Sequence, residues 1–162
     1  MKILSPAFAG NHEIPIEYTC DGDNINPPLV TEDVPREAKS LVLIVDDPDV
    51  AEGVFTHWVV WNINSKIEEI GEGEVPEGGV EGINNAGERG YMGPCPPYGT
   101  HHYIFHLYAL DSLLSLPGST GRDEVEDQMS GHVIAEAQLT GLYSHKEGQE
   151  EHLREMGEEL EE

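Results

Sequence analysis

Basic residues are scarce in this chain: 8 lysines and arginines stand against 32 aspartates and glutamates, for a formal net charge of −24. Binding nucleic acid means neutralising phosphates with Lys and Arg, so this shortage argues against DNA and RNA as partners. Cysteine is nearly absent, with only Cys20 and Cys95. A secreted disulfide framework normally uses more cysteines and a secretion signal, so the two read as reduced thiols, with a single bridge as the alternative. No apolar run approaches the roughly 18 residues of a membrane span. Met1-Lys-Ile-Leu-Ser-Pro6 also meets a proline before a signal-peptide core can form. The expectation is a cytoplasmic protein with no integral membrane segment.

What is present fits one globular domain. A length of 162 residues is enough to bury a core without staples, and the 38% of hydrophobic residues cluster in runs such as Ser40-Leu-Val-Leu-Ile-Val45. The mean hydropathy of −0.41 therefore describes a charged exterior around an apolar interior. Surplus acid reads first as a solvated surface. Its sharper form is salt adaptation, because the Debye length shrinks to about 3 Å at 1 M salt and like-charge repulsion is then screened. A halophilic source is the resulting hypothesis, and folding equally well at low salt would count against it.

Short runs of β-branched and aromatic residues recur between proline- and glycine-rich turns, the pattern of an antiparallel β-sandwich. The clearest strands are Leu41 to Val45, His57 to Ile63 and Tyr103 to Leu110. The last is apolar on both faces, which predicts a central strand covered on both sides. Residues 71 to 100 carry many turn formers and no sustained period, and a stretch that long is usually functional or disordered. After Pro117-Gly118, Thr120 with Asp123 three residues on predicts a helix start, and Val125, Met129, Val133 and Ala137 form a stripe every fourth residue. A strand from about Gln138 to Tyr143 follows or replaces the helix end. Leu153, Met156 and Leu160 predict a weakly amphipathic helix in an acidic tail. The expected organisation is a mostly β sandwich domain over 1–145, with one or two peripheral helices and a tail over 146–162.

Three polar constellations border these strands: Asp46-Asp47-Pro48-Asp49, Thr56-His57, and Cys95-Pro96-Pro97 leading to His101-His102. Ionisable groups at strand ends beside proline-stiffened loops are placed to converge at one rim. In order, the chain carries Tyr18-Thr-Cys-Asp-Gly22, Pro27-Pro-Leu29, Asp47-Pro-Asp49, Thr56-His-Trp-Val-Val-Trp-Asn-Ile63, Gly90-Tyr-Met-Gly-Pro-Cys-Pro-Pro97 and His101-His-Tyr103. This series, spanning about Leu4 to Tyr143, resembles the phosphatidylethanolamine-binding protein family, specifically its compact Raf-kinase-inhibitor-like (YbhB/YbcL-like) branch. The resemblance implies a sandwich with a small edge cavity that accepts a phosphate or phosphorylethanolamine group. It places Asp47, His57, His101 and Tyr103 at the cavity, with Gly93 and Pro96 in the loop that shapes its wall, and it implies no cofactor.

The chemistry of these residue types supports such a site. Imidazoles donate to phosphate oxygens, and a glycine-rich loop can offer backbone N–H groups to an anion. An aspartate among them would repel a dianion, so its favoured role is to orient a histidine. Taken singly, Asp47 before Pro48 also fits a simple Asx-turn, and His102 and His106 read as structural. The ligand expectation is a phosphate-bearing or other small anion bound without catalysis. The alternative is an interaction module that inhibits a kinase or protease through the same rim, and a homodimer is compatible with either. A third reading takes Cys95 as the nucleophile of a hydrolase with His57 or His101 as base. A metal site from Cys95, His57, His101 and Asp47 lacks any paired ligand spacing. The calcium-loop outline at Asp21-Gly-Asp23 fails because Asn26 occupies the glycine position.

Overall fold

Alternating apolar residues separated by turns form nine strands among the described residues of this computed structural model, which are 1–144. The expected tail helix over 146–162 lies outside them. The strands are β1 (Lys2–Leu4), β2 (His12–Glu13), β3 (Leu29–Glu32), β4 (Ser40–Asp47), β5 (Phe55–Ile63), β6 (Glu69–Ile70), β7 (Val80–Glu81), β8 (Thr100–Leu110) and β9 (Val133–Ser144). A helix, α1 (Arg122–Met129), precedes β9. One sheet runs β1-β3-β6 and the other β2-β9-β8-β4-β5-β7. Pairing is antiparallel except for the two-residue contact of β2 with β9.

Strand alternation divides the large sheet into two interiors. Leu41, Leu43 and Val45 of β4, Trp58 and Val60 of β5, and Tyr103, Phe105 and Leu107 of β8 face the small sheet and meet Ile3, Leu29 and Ile70. Val42, Ile44, Val59 and Trp61 point the other way and pack with Val125 and Met129 of α1. The central position expected for the Tyr103 strand is observed, since β8 sits between β9 and β4. Its second face is less covered than expected, with Ile104, His106 and Tyr108 half-buried.

The helix is shorter than its stripe predicts. Val125 and Met129 are buried on it, whereas Val133 and Ala137 belong to β9. Gly131, with φ of +84°, ends the helix in a left-handed turn that side-chain-bearing residues rarely adopt. Pairing of β9 with β8 from Leu110↔Val133 to Thr100↔Ser144 then claims the chain. The cap is Gly121, whose N–H donates to Glu124 Oε2 at 3.1 Å, so the expected Thr120–Asp123 pair is displaced by one residue.

Candidate functional site

The end of β4, the start of β5 and the start of β8 lie side by side, and this adjacency assembles the rim. Val45 pairs with Trp58 but Asp46 pairs with Thr56, so His57 is an extra residue in β5. Such a bulge locally re-aims side chains, and here it turns His57 to the same cavity as Asp47. His101 and Tyr103 share the face of β8 that carries Phe105 and Leu107. The cavity, about 210 Å³, is lined by Asp47, His57, Pro96, His101 and Tyr103, together with Val50, Phe55, Met92, Cys95 and Pro97. Five of the six residues expected at the site thus meet around one hollow.

Gly93 takes a different place. It is buried behind the wall, where a Cβ would come within 2.6 Å of the Tyr18 carbonyl and 2.5 Å of Asn24 Oδ1. Its N–H donates to that same Asn24 oxygen at 2.7 Å and is turned away from any ligand. Glycine here permits close approach of two backbones. Val50, Phe55 and Met92 escape sequence reasoning because each is a plain apolar residue; only their closeness to Asp47, His57 and Gly93 marks them.

Each acidic or basic group at the rim has a defined partner. Asp47 is buried, with Oδ1 accepting the Asp49 N–H at 2.8 Å in an Asx-turn and Oδ2 lying 2.7 Å from His101 Nδ1. His101 Nδ1 therefore carries the proton that it donates to Asp47, and Nε2 is left for other partners. His57 is also buried, and its Nδ1 donates to the Met92 carbonyl at 2.8 Å. Burial holds the His57 pKa below its ordinary value, opposed by the Met92 carbonyl and the Asp47 charge. A neutral His57 with Nδ1–H committed presents Nε2 as an acceptor.

Tyr103 is 1% exposed, and its hydroxyl has no hydrogen-bond partner among the described residues. Burial pushes its pKa far up, with the negative charges of Asp47 and Asp49 adding to the effect and the Cys95 amide opposing it. That amide can meet only the phenolic oxygen, so the O–H donor itself is unused. The His57 ring stands edge-on to Tyr103 at 5.3 Å between centroids, and Phe55 packs against His57 at 4.9 Å.

The cysteines overturn their reading as thiols. Cys20 and Cys95 form a disulfide, with Cα atoms 5.5 Å apart and 75 residues between them in sequence. Loops that the sequence leaves without regular structure bring them together. A bonded Cys95 has no thiolate to offer, which removes the nucleophile of the hydrolase reading. Among the described residues no group of three or more His, Cys, Asp or Glu side chains is arranged to hold a metal ion. A larger groove of about 550 Å³, bordered by Glu32, Arg36, Lys66 and Glu68, contains none of the motif residues.

No helix among the described residues is long and apolar enough to cross a membrane. Comparison with known proteins matches residues 4–144 to the family model described as phosphatidylethanolamine-binding protein. The chain is 49% identical over 148 residues to a UPF0098 protein of Methanothermobacter thermautotrophicus, covering 88% of this chain and 98% of the relative. It is 47% identical to one of Aquifex aeolicus, covering 88% of each. A crystal structure of a phosphatidylethanolamine-binding protein homologue from Chlamydia trachomatis superposes with a TM-score of 0.85 at 44% identity, covering 88% of this chain and 96% of the other. Escherichia coli YbcL does so with a TM-score of 0.82 at 27% identity, covering 88% and 97%. With the sandwich, the order of its motifs and the family match all spanning the same residues, the chain belongs to the phosphatidylethanolamine-binding protein family.

Proposed function

We propose that this protein binds a small phosphate-bearing or similar anion in the cavity lined by Asp47, His57, Pro96, His101 and Tyr103, and that it acts as a non-catalytic regulatory binder. The observation that carries the reading is the buried Tyr103 hydroxyl, a donor with no protein partner on the wall of a hollow that also holds two imidazoles. Leaving a buried donor unmade costs about 1–3 kcal/mol, and an anion oxygen would satisfy it. The volume of about 210 Å³ lies below the roughly 300–1,000 Å³ of drug-sized pockets, which favours a small head group. A second hollow of about 310 Å³ shares Val50, Pro97 and His101 with the first and gives a substituent on the phosphate room to extend.

Proton bookkeeping refines the ligand. Both histidines commit Nδ1–H to the protein, so donation from Nε2 to an oxyanion requires an added proton on the ring or a proton on the phosphate. Binding should therefore take up protons or select the monoanion, and affinity should rise as pH falls from about 8 to 6. Calorimetric titration of inorganic phosphate and phosphorylethanolamine at high salt tests the reading, with His57→Ala/His101→Ala in parallel and circular dichroism to check its fold. The parent should bind saturably and the variant about 100-fold or more weaker, as expected for losing two charge-assisted hydrogen bonds. Equal binding by the folded variant, or no saturable heat from the parent, would sink the assignment.

A further inference from the structure

We infer that the Cys20–Cys95 disulfide is a thiol-exchange site that controls the anion cavity: closed, it holds the Cys95–Pro97 wall in place, and opened by a dithiol reductant, it releases that wall. The inference rests on the anion reading for its ligand but not for its structural basis. Cys95, Pro96 and Pro97 line the cavity in succession, and both cysteines are exposed to solvent. A reductant can reach the bond without prior unfolding, which sets it apart from a buried structural bridge.

The residues around the bond explain why a covalent tie matters here. Upstream of Cys95 the wall loop is fastened to residues 18–24 by hydrogen bonds. Tyr91 Oη donates to the Tyr18 carbonyl at 2.7 Å, the Gly93 N–H donates to Asn24 Oδ1 at 2.7 Å, and the Cys20 N–H donates to the Pro94 carbonyl at 3.1 Å. These bonds end at Pro94, and the lining segment Cys95–Pro97 follows directly. In Pro94-Cys-Pro-Pro97 only Cys95 has an amide hydrogen, which faces the Tyr103 oxygen, so this segment has a single backbone donor with which to anchor itself. The disulfide supplies at Cys95 the tie that hydrogen bonds supply one to four residues earlier. Tyr103 and the two histidines stand on the sheet, so opening the bond leaves them in place and displaces only the opposing wall.

The exchange balances as a two-electron transfer. A dithiol thiolate attacks one sulfur of the bridge, breaking the S–S bond and forming a mixed disulfide while the other cysteine leaves as a thiolate and takes a proton. The second thiol of the reductant then attacks the mixed disulfide and releases the remaining cysteine. Cys20 and Cys95 end as thiols and the dithiol as its cyclic disulfide.

The test compares oxidised, dithiothreitol-reduced and reoxidised protein, with thiol counts at each stage. Cys20→Ala/Cys95→Ala serves as a variant that dithiothreitol should not affect. Two readouts are taken: inorganic phosphate affinity by calorimetry, and amide hydrogen exchange across residues 91–103 and across β4. Reduction should weaken phosphate binding about tenfold and speed exchange in the wall but not in β4, with reoxidation restoring both, since loosening a preorganised site costs affinity. Equal exchange in the wall before and after reduction overturns the inference, as does loss of protection in β4, which would make the bond a staple of the whole fold. If the oxidised protein binds no phosphate yet its wall loosens on reduction, the anion reading falls and the control of the wall stands. Faster wall exchange with unchanged phosphate affinity overturns the claim that the wall governs the cavity.

Discussion

Asp46 and Asp47 are neighbours on β4, and alternation sends their carboxylates to opposite faces of the sheet. On the helix face, Asp46 Oδ1 accepts from Thr56 Oγ1 at 2.9 Å, while Oδ2 lies 3.2 Å from Arg122 Nη2 and 3.6 Å from His106 Nε2. Arg122 also meets Glu126 at 3.0 Å. On the cavity face, Asp47 holds His101, beside His57, whose Nδ1 donates to the Met92 carbonyl, and Tyr103 with its unused O–H. The first cluster turns its charges on one another, with Arg122 Nε buried and without a hydrogen-bond partner among the described residues, and ties β4, β5, β8 and α1 together. The second satisfies its carboxylate but leaves donor and acceptor capacity pointed at a hollow. The same residue type thus sits in a cluster of opposed charges on one side and beside an open hollow on the other.

Removing Asp46 should break this contrast most strongly. Burial raises its pKa, opposed by Arg122 and the Thr56 hydroxyl, so the charge is held at a cost that its partners offset. Asp46→Ala leaves Arg122 only Glu126 and leaves the Thr56 hydroxyl without its acceptor, which should cost about 2–4 kcal/mol of stability. Phosphate affinity of the remaining folded protein should stay within about threefold, because the loss falls on the other face. Denaturant unfolding alongside phosphate titration checks both. A large drop in affinity with stability intact would mean that the two faces act as one unit.

Acid probes both faces together. Burial holds His57 and His106 below the ordinary histidine value of 6.5, so the unfolded chain takes up protons at each site before the folded protein does. The stability they contribute is present above that value and is lost as pH falls through it toward the lower folded values. Asp46, raised rather than lowered, acts with the opposite sign at lower pH and partly offsets the loss. Unfolding free energy should therefore fall between about pH 7 and pH 5. Phosphate should lessen that fall, because it would sit against His57 and not His106. A flat profile, or one that phosphate leaves unchanged, contradicts this account.

The strands were legible because Leu41 to Val45, His57 to Ile63 and Tyr103 to Leu110 are long and strongly apolar, and burial decided their fate as periodicity predicts. Asp47, His57, His101 and Tyr103 were nameable from motifs flanking those strands. Three features were not legible, each for a physical reason. The bulge at His57 depends on the pairing of β4 with β5, which no single segment encodes. The bond between Cys20 and Cys95 depends on the meeting of two irregular loops. Val133 and Ala137 continue a helical stripe, but they also fit a strand, and pairing with β8 chose between the two readings. The Asp46 cluster was half visible, since two successive carboxylates on a strand must face opposite ways; what awaited Asp46 on the far side was not.

The smallest effects separate the faces most cleanly. Tyr103→Phe deletes an O–H donor that the protein leaves unused together with the oxygen that faces the Cys95 amide, so stability should fall by well under 1 kcal/mol, while phosphate affinity falls about fivefold for the loss of one hydrogen bond worth about 1 kcal/mol. Thr56→Val deletes a donor that is used, so stability should fall by about 1 kcal/mol and phosphate affinity should not move. Each substitution removes one hydroxyl from a buried side chain at the same end of the same sheet, so their bulk effects on packing are alike. What distinguishes them is whether the O–H already has an acceptor in the free protein. If Tyr103→Phe instead lost stability as Thr56→Val does, its O–H would be engaged before any ligand arrives, and the strongest structural support for an anion in this cavity would be gone.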